Sequence, residues 1–340
     1  MADMAEQTAQ SQAFAAALST VAAHPLTQQQ LDDNQSDMSS ALTDPTNYAD
    51  LWELADKILD FYNPTSSSDK TCTVIRAFRQ ILSKHGQVAL MADIKTIGRD
   101  QSKLRLFARH LINTILKPMK LAGGIQFHTL ISLSPHPDAA ASIAQSAASI
   151  TSSNINQQEI LKKDCLKRDG YCCAYTHVFD RDSAIEHLVV PPTGGTVSPT
   201  QLSHILPLAL SKFDDAKQHE REAVAVIWFS LYRYFPAFNG KIGPGTLNQH
   251  QNLITFQISV HDNYYKYLLA FNPLNERPNQ YEIKSFLPWP SFAQPPQGHQ
   301  QIMTLVSMAP NIPLPDPEFF RTHYQISKIL DEFAVQDVQI

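Results

Sequence analysis

Two short apolar, β-prone runs followed at once by a helix start constrain this 340-residue chain more than any other feature. The first, QLSHILPL at 201–208, carries His204 and is interrupted by Pro207, which cannot donate to a strand ladder, so the imidazole falls at a strand end where a side chain can face a cleft. The second opens at Asn252 and runs from Leu253 to Phe256. Ser259 with Asp262 three residues later has the form of a capping box, which predicts a short helix from near Val260 with His261 in its first turn. The order is strand with His, strand starting at Asn, helix carrying His. Ahead of these lies a helical run, Gln158 to Lys167, leading into RDGYCCAYT at 168–176, which reads as a further strand.

Together these pieces resemble the HNH endonuclease family, and more narrowly the HNH domain common in fungal proteins, where an RDG-x-x-C-x-x-T start precedes an HI-x-P strand and an N-x8-H finish. The match is carried by Arg168, Asp169, Gly170, Cys173 and Thr176, then His204, Ile205 and Pro207, then Asn252 and His261. It covers roughly the second half of the chain. Many members have Gly after the Thr, where this chain has His177. Taken singly, His204 also fits a core histidine and Asn252 a turn residue. Their joint register favours the HNH arrangement, which implies an α+β fold with a ββα-metal core carrying insertions, preceded by a small helical region.

The resemblance implies an endonuclease that hydrolyses DNA phosphodiester bonds with a divalent metal, Mg²⁺ or alternatively Mn²⁺, and no structural zinc. Carried over residue by residue, the catalytic pair is His204, as general base, and Asn252, holding the site in geometry. His261 with Asp262 would bind the metal, and Cys173, Thr176 and Pro207 would shape the motif. A neutral histidine, with an ordinary pKa of about 6.5, suits proton removal from water near pH 7. One departure bears on the metal. In HNH nucleases the residue before the first His is often Asp or His and shares the cation, whereas here it is Ser203, a poor Mg²⁺ ligand, so Asp262, Glu186 or another carboxylate has to replace it. That departure opens a second reading, a catalytically degenerate HNH module serving as a scaffold or protein-interaction domain.

A formal net charge of −5 argues against a surface coated with positive field, so contact with DNA, expected to be double-stranded, has to be local. Residues 162–182 hold Lys162, Lys163, Lys167, Arg168 and Arg181 against Asp164, Asp169, Asp180 and Asp182, an excess of one charge. The four cysteines include no CxxC pair, so neither a zinc ribbon nor a disulfide framework is expected. The first residues, MADMAEQTAQ, lack a secretory or mitochondrial pattern, and no apolar run approaches the roughly 18 residues of a membrane span. The expectation is an intracellular protein, nuclear or cytoplasmic, without a membrane partner.

In chain order, 1–46 is rich in Ala, Gln, Ser and Asp and reads as a disordered tail. The helical region, 47–122, shows three helical stripes: from Tyr48 to before Pro64, from Val74 to near Gly86, and from Leu104 to before Pro118. They pack on one another or offer a face to a protein partner. Residues 123–157 read as a linker and 158–290 as the HNH-like domain, with a helix Glu220 to Tyr234 inside the 47 residues between His204 and Asn252. Strands are expected at Tyr267 to Phe271 and Tyr281 to Phe286. The remainder, 291–340, reads as a Pro-rich extension and a helix from Asp316-Pro317 that packs back on the domain.

Overall fold

The computed structural model describes residues 45–120, 135–136, 139–152, 157–287 and 302–334. Nearly all of the 1–46 tail, the 123–134 part of the linker and the Pro-rich 288–301 lie outside the described residues. The fold is mixed α+β with small sheets, and it divides into two compact units. The first comprises 1–152, 212–244 and 332–340, and the second 153–211 and 245–331.

The first unit is helical: α1 (Pro45–Asp60), α2 (Thr71–Ile81), α3 (Lys84–Ile97), α4 (Gln101–Leu111) and α5 (Ala139–Ser149), with a π-helical turn, Ile112–Leu116, prolonging α4. The apolar stripes are buried, with Ile75, Phe78, Leu104 and Leu111 fully enclosed. The stripe expected to end near Gly86 is two helices. Ser83 caps α3 by accepting from the Gly86 N–H, and Gly86 is inside that helix because a Cβ there would strike the Tyr234 carbonyl.

Residues 212–244, placed by sequence within a continuous 158–290 domain, group with the helical unit instead. A buried polar lock accounts for this. Asp93 of α3 accepts from Arg233 Nε at 2.8 Å and Nη2 at 2.6 Å and from the Tyr234 hydroxyl at 2.8 Å, all on the inserted helix. The Ala-rich part of the linker is α5, whose Ala139, Ile143 and Ala147 pack on Ala225 and Val226 of that helix. Small side chains on both sides allow the close approach.

The second unit runs α6 (Gln158–Arg168), β1 (Phe179–Asp180), α7 (Arg181–Ile185), β2 (Val197–Ser198) and β3 (Thr200–His204). The inserted helix, α8 (Gln218–Tyr234), then belongs to the first unit. The second resumes with β4 (Leu253–Gln257), α9 (Ile258–Tyr265), β5 (Leu269–Pro273), β6 (Gln280–Ser285), β7 (Ile302–Thr304) and α10 (Pro317–Ala334). β1 pairs β2 in parallel, β3 pairs β4 antiparallel, and β5-β6-β7 form an antiparallel sheet. An aromatic core joins them: Phe256, Tyr264 and Phe271 have ring centroids 5.2 to 5.7 Å apart, and Phe320 of α10 stands edge-on to Phe271 at 6.0 Å.

RDGYCCAYT is not a strand. Gly170 and Tyr171 both take left-handed backbone, φ 69° and 56°, and the Tyr171 N–H returns to the Leu166 carbonyl, so the segment stops α6 and turns. Only one bridge, Cys172 to Phe179, follows. Cys173 and Thr176 are buried in a tight turn in which the Thr176 N–H meets Cys173 Sγ at 3.4 Å. His177 adopts a left-handed φ of 57°. Histidine tolerates that region better than most residues.

Candidate functional site

The β3–β4 register fixes which side chains share a face. His204 lies opposite Leu253 and Leu202 opposite Thr255, and this face is covered by α6, whose Leu161 and Cys165 enclose Leu253 and Leu202. Ser203 lies opposite Ile254 and Gln201 opposite Phe256, on the other face. Phe256 meets Tyr264, so α9 covers the Ser203 side. Ser203 is 2% exposed there.

His204 is half-buried at the end of β3, as its position before Pro207 predicts, and its Nε2 is 2.8 Å from Asn248 Oδ1. An amide oxygen only accepts, so it selects the tautomer with hydrogen on Nε2 and the basic lone pair on Nδ1. Asn248 carried no sequence signal, since it sits in a turn-rich stretch where Asn is common. Asn252 is fully buried: Oδ1 accepts from the Leu206 N–H at 2.8 Å, and Nδ2 donates to the Leu206 and Leu247 carbonyls, each at 3.1 Å. Its amide hydrogens are committed to backbone. Asn252 therefore braces the loop after His204. Pro207 is buried in the same loop and its carbonyl accepts from Leu210 N–H, opening a 3₁₀ turn.

The helix that follows β4 begins two residues earlier than the expected capping box. Gln257 is the cap, its Oε1 accepting from Ser259 N at 2.9 Å and Ser259 Oγ at 2.6 Å. His261 lies three residues before Tyr264, on the same side of α9. It stacks on Tyr265 with ring centroids 6.2 Å apart and makes no hydrogen bond among the described residues. Burial pushes its pKa below the ordinary histidine value, against the opposing charge of Asp262, so the ring is neutral at pH 7.

Asp262 does not join His261. Its exposed carboxylate pairs with Lys266 Nζ at 2.8 Å, one helical turn on. Glu186 is exposed at the end of α7. Among the described residues no three His, Cys, Asp or Glu side chains gather as a cation site. Mg²⁺ prefers carboxylate and water oxygens in octahedral array. One neutral imidazole on α9, with Asp262 paired to Lys266, does not fit that demand. Burial also pushes the Cys165 and Cys172 thiols up to about 12, so both are protonated at pH 7.

Searches of family models, curated proteins and solved structures return no match. The meaning of the RDG segment therefore comes from its contacts. Arg168 is fully buried, forks onto both Asp169 oxygens at 2.7 and 3.0 Å, and donates to the carbonyls of His250, Pro313 and Leu253. Asp169 Oδ2 also accepts from the Thr255 N–H at 2.9 Å. Two adjacent residues thus pin β4 and the turn before it to the end of α6. Asp180 does the same for β3. Burial works against its charge, but hydrogen bonds from Thr200 and Ser183 outweigh that and hold its carboxyl below the usual range.

Proposed function

We propose that the second unit is an HNH-type module that hydrolyses phosphodiester bonds of DNA, with His204 as general base. The observation that carries this reading is His204 at the mouth of a hairpin followed by a helix, with Asn248 setting its tautomer and Asn252 bracing its loop. In that tautomer Nδ1 accepts the proton of a water attacking phosphorus, the bond from phosphorus to the leaving oxygen breaks as that oxygen takes a proton from solvent, and the Asn248 oxygen stabilises the imidazolium until it returns its proton to solvent. His261, a second neutral imidazole, belongs to α9, which covers the Ser203 face of the hairpin and not the His204 face. No step is assigned to a metal, since the described donors do not form its site.

A specific observation favours the second reading, a degenerate HNH module acting as a scaffold: Ser203 occupies the α9-facing position where a carboxylate is expected, and Asp262 is turned to Lys266. One experiment separates the two. Supercoiled plasmid is incubated at low salt with Mg²⁺, with Mn²⁺ and without added metal, using the native chain and His204→Ala. Hydrolysis predicts nicking by the native chain and a fall of about 10² to 10⁴-fold in the variant. Equal inertness of both chains under all three conditions sinks the hydrolytic reading and leaves the scaffold.

A further inference from the structure

We propose that a cavity of about 720 Å³ on the second unit, lined by Asp164, Lys167, Tyr171, His250, Met308 and Pro310 among others, binds one nucleotide of a nucleic-acid strand, phosphate toward Lys167 and base against the apolar wall. The proposal rests on the phosphodiester reading and names where the strand is held beside the reacting bond.

The cavity is built from three distant pieces of chain. Arg168 clamps them: its Nη1 donates to the His250 and Pro313 carbonyls, and its own carbonyl accepts from the Met308 N–H at 2.8 Å. The wall is therefore preorganised by the buried Arg168–Asp169 pair. One lining residue, His250, is two residues beyond Asn248, which holds His204, and two before Asn252.

The chemistry of the wall selects the ligand. Asp164 is hydrogen-bonded to His250, Oδ2 to Nε2 3.0 Å, and Lys167 is the lysine of the lining. Lys163, one helical turn earlier on the same face of α6, is also exposed, and neither lysine has an ion-pair partner among the described residues. Two such lysines suit successive phosphates of a strand. The same lining holds Met308, 70% exposed, with Pro310 and the ring of Tyr171, a surface of the kind on which a base packs. An inorganic anion would use only the lysines, and an apolar ligand only that surface. A nucleotide uses both.

The test is fluorescence anisotropy of a short fluorescein-labelled single-stranded oligodeoxynucleotide with the full chain, without metal. Lys167→Glu and Met308→Ser are each expected to weaken binding by about tenfold, while Lys95→Glu, the same charge change at an exposed lysine of α3 in the helical unit, binds as the native chain does. The altered side chains are exposed, and an unchanged unfolding midpoint confirms intact folding. The proposal is overturned if the native chain fails to bind, if neither cavity variant weakens binding, or if Lys167→Glu alone does so, which marks plain charge attraction. Nicking assayed on the same preparations keeps the two ideas apart. Nicking with cavity-independent binding sinks the cavity alone, and cavity-dependent binding without nicking sinks hydrolysis alone.

Discussion

Asp169→Ala is expected to destabilise the second unit by about 3 to 5 kcal/mol. Arg168 is fully buried, and although burial works against its charge, the hydrogen bonds and charge of Asp169 outweigh it and raise its pKa, so it remains protonated. Removing the carboxylate leaves a guanidinium without a counter-charge in a site closed to water, and the Thr255 N–H loses its acceptor. A loss of that size consumes much of the 5 to 15 kcal/mol that a domain ordinarily has. Replacing both partners, Arg168→Met with Asp169→Ala, recovers part of the loss because no buried charge remains. Recovery is incomplete, since the carbonyls of His250, Leu253 and Pro313 then lack their donor. Urea unfolding followed by far-UV circular dichroism measures both. A change under about 1 kcal/mol in the single variant would show that the pair is not the pin described here.

Mild acid should destabilise the same unit through one histidine. His323 of α10 is sandwiched between the rings of Tyr264 and Tyr267, at centroid distances of 3.8 and 4.4 Å, and its Nε2 is 3.0 Å from the Tyr264 carbonyl. Burial drives its pKa down to about 3, with that carbonyl contact opposing only in part. The folded state thus keeps the ring neutral while the unfolded chain takes up a proton near pH 6.5. The stabilisation is complete above pH 6.5 and is lost as pH falls from there toward 3. The expected loss is about 3 kcal/mol by pH 4 and approaches about 5 kcal/mol below pH 3. His261, also depressed, acts in the same direction. The depressed carboxyls, such as Asp180, lose their contribution only below their ordinary value near 4. Unfolding free energies of the native chain and His323→Phe between pH 7.5 and 4 test this, with the variant expected to show a much flatter dependence. Equal slopes for the two chains would remove His323 from the account.

Much of the hairpin was legible because its signals are local. An apolar run stopped by Pro207 places His204 at a strand end, and Asn252 before Leu253 marks the next strand start. The strands at 269–273 and 280–285 and the helix from Pro317 follow from the same periodicity and punctuation. What escaped depends on distant partners or unusual backbone. Residues 212–244 join the helical unit through Asp93 and Arg233, separated by 140 residues and invisible to any local pattern. α5 lacks an amphipathic stripe because alanines make its contact. Gly86 looked like a stop because its real constraint is the carbonyl of Tyr234. The RDG segment reads as a strand by composition, yet Gly170 and Tyr171 are both left-handed.

The site divides the same way. His204 and Asn252 could be named from order and spacing, but the roles separate only in three dimensions, where Asn252 spends its amide on backbone and Asn248 holds the imidazole. Asp262 follows His261 directly in sequence, yet adjacent residues on a helix diverge by about 100°, and its carboxylate goes to Lys266 instead. The pairing of Asp164 with His250 spans 86 residues and had no sequence signal.

The most direct test of the central claim, that His204 is a base set by Asn248, is the plasmid-nicking rate of Asn248 variants against the native chain. The account predicts that Asn248→Asp, which keeps an acceptor at the 2.8 Å contact, nicks at a rate close to native. Asn248→Ala, which removes the acceptor facing Nε2, should fall by about tenfold or more. Native-like nicking by Asn248→Ala would contradict the account.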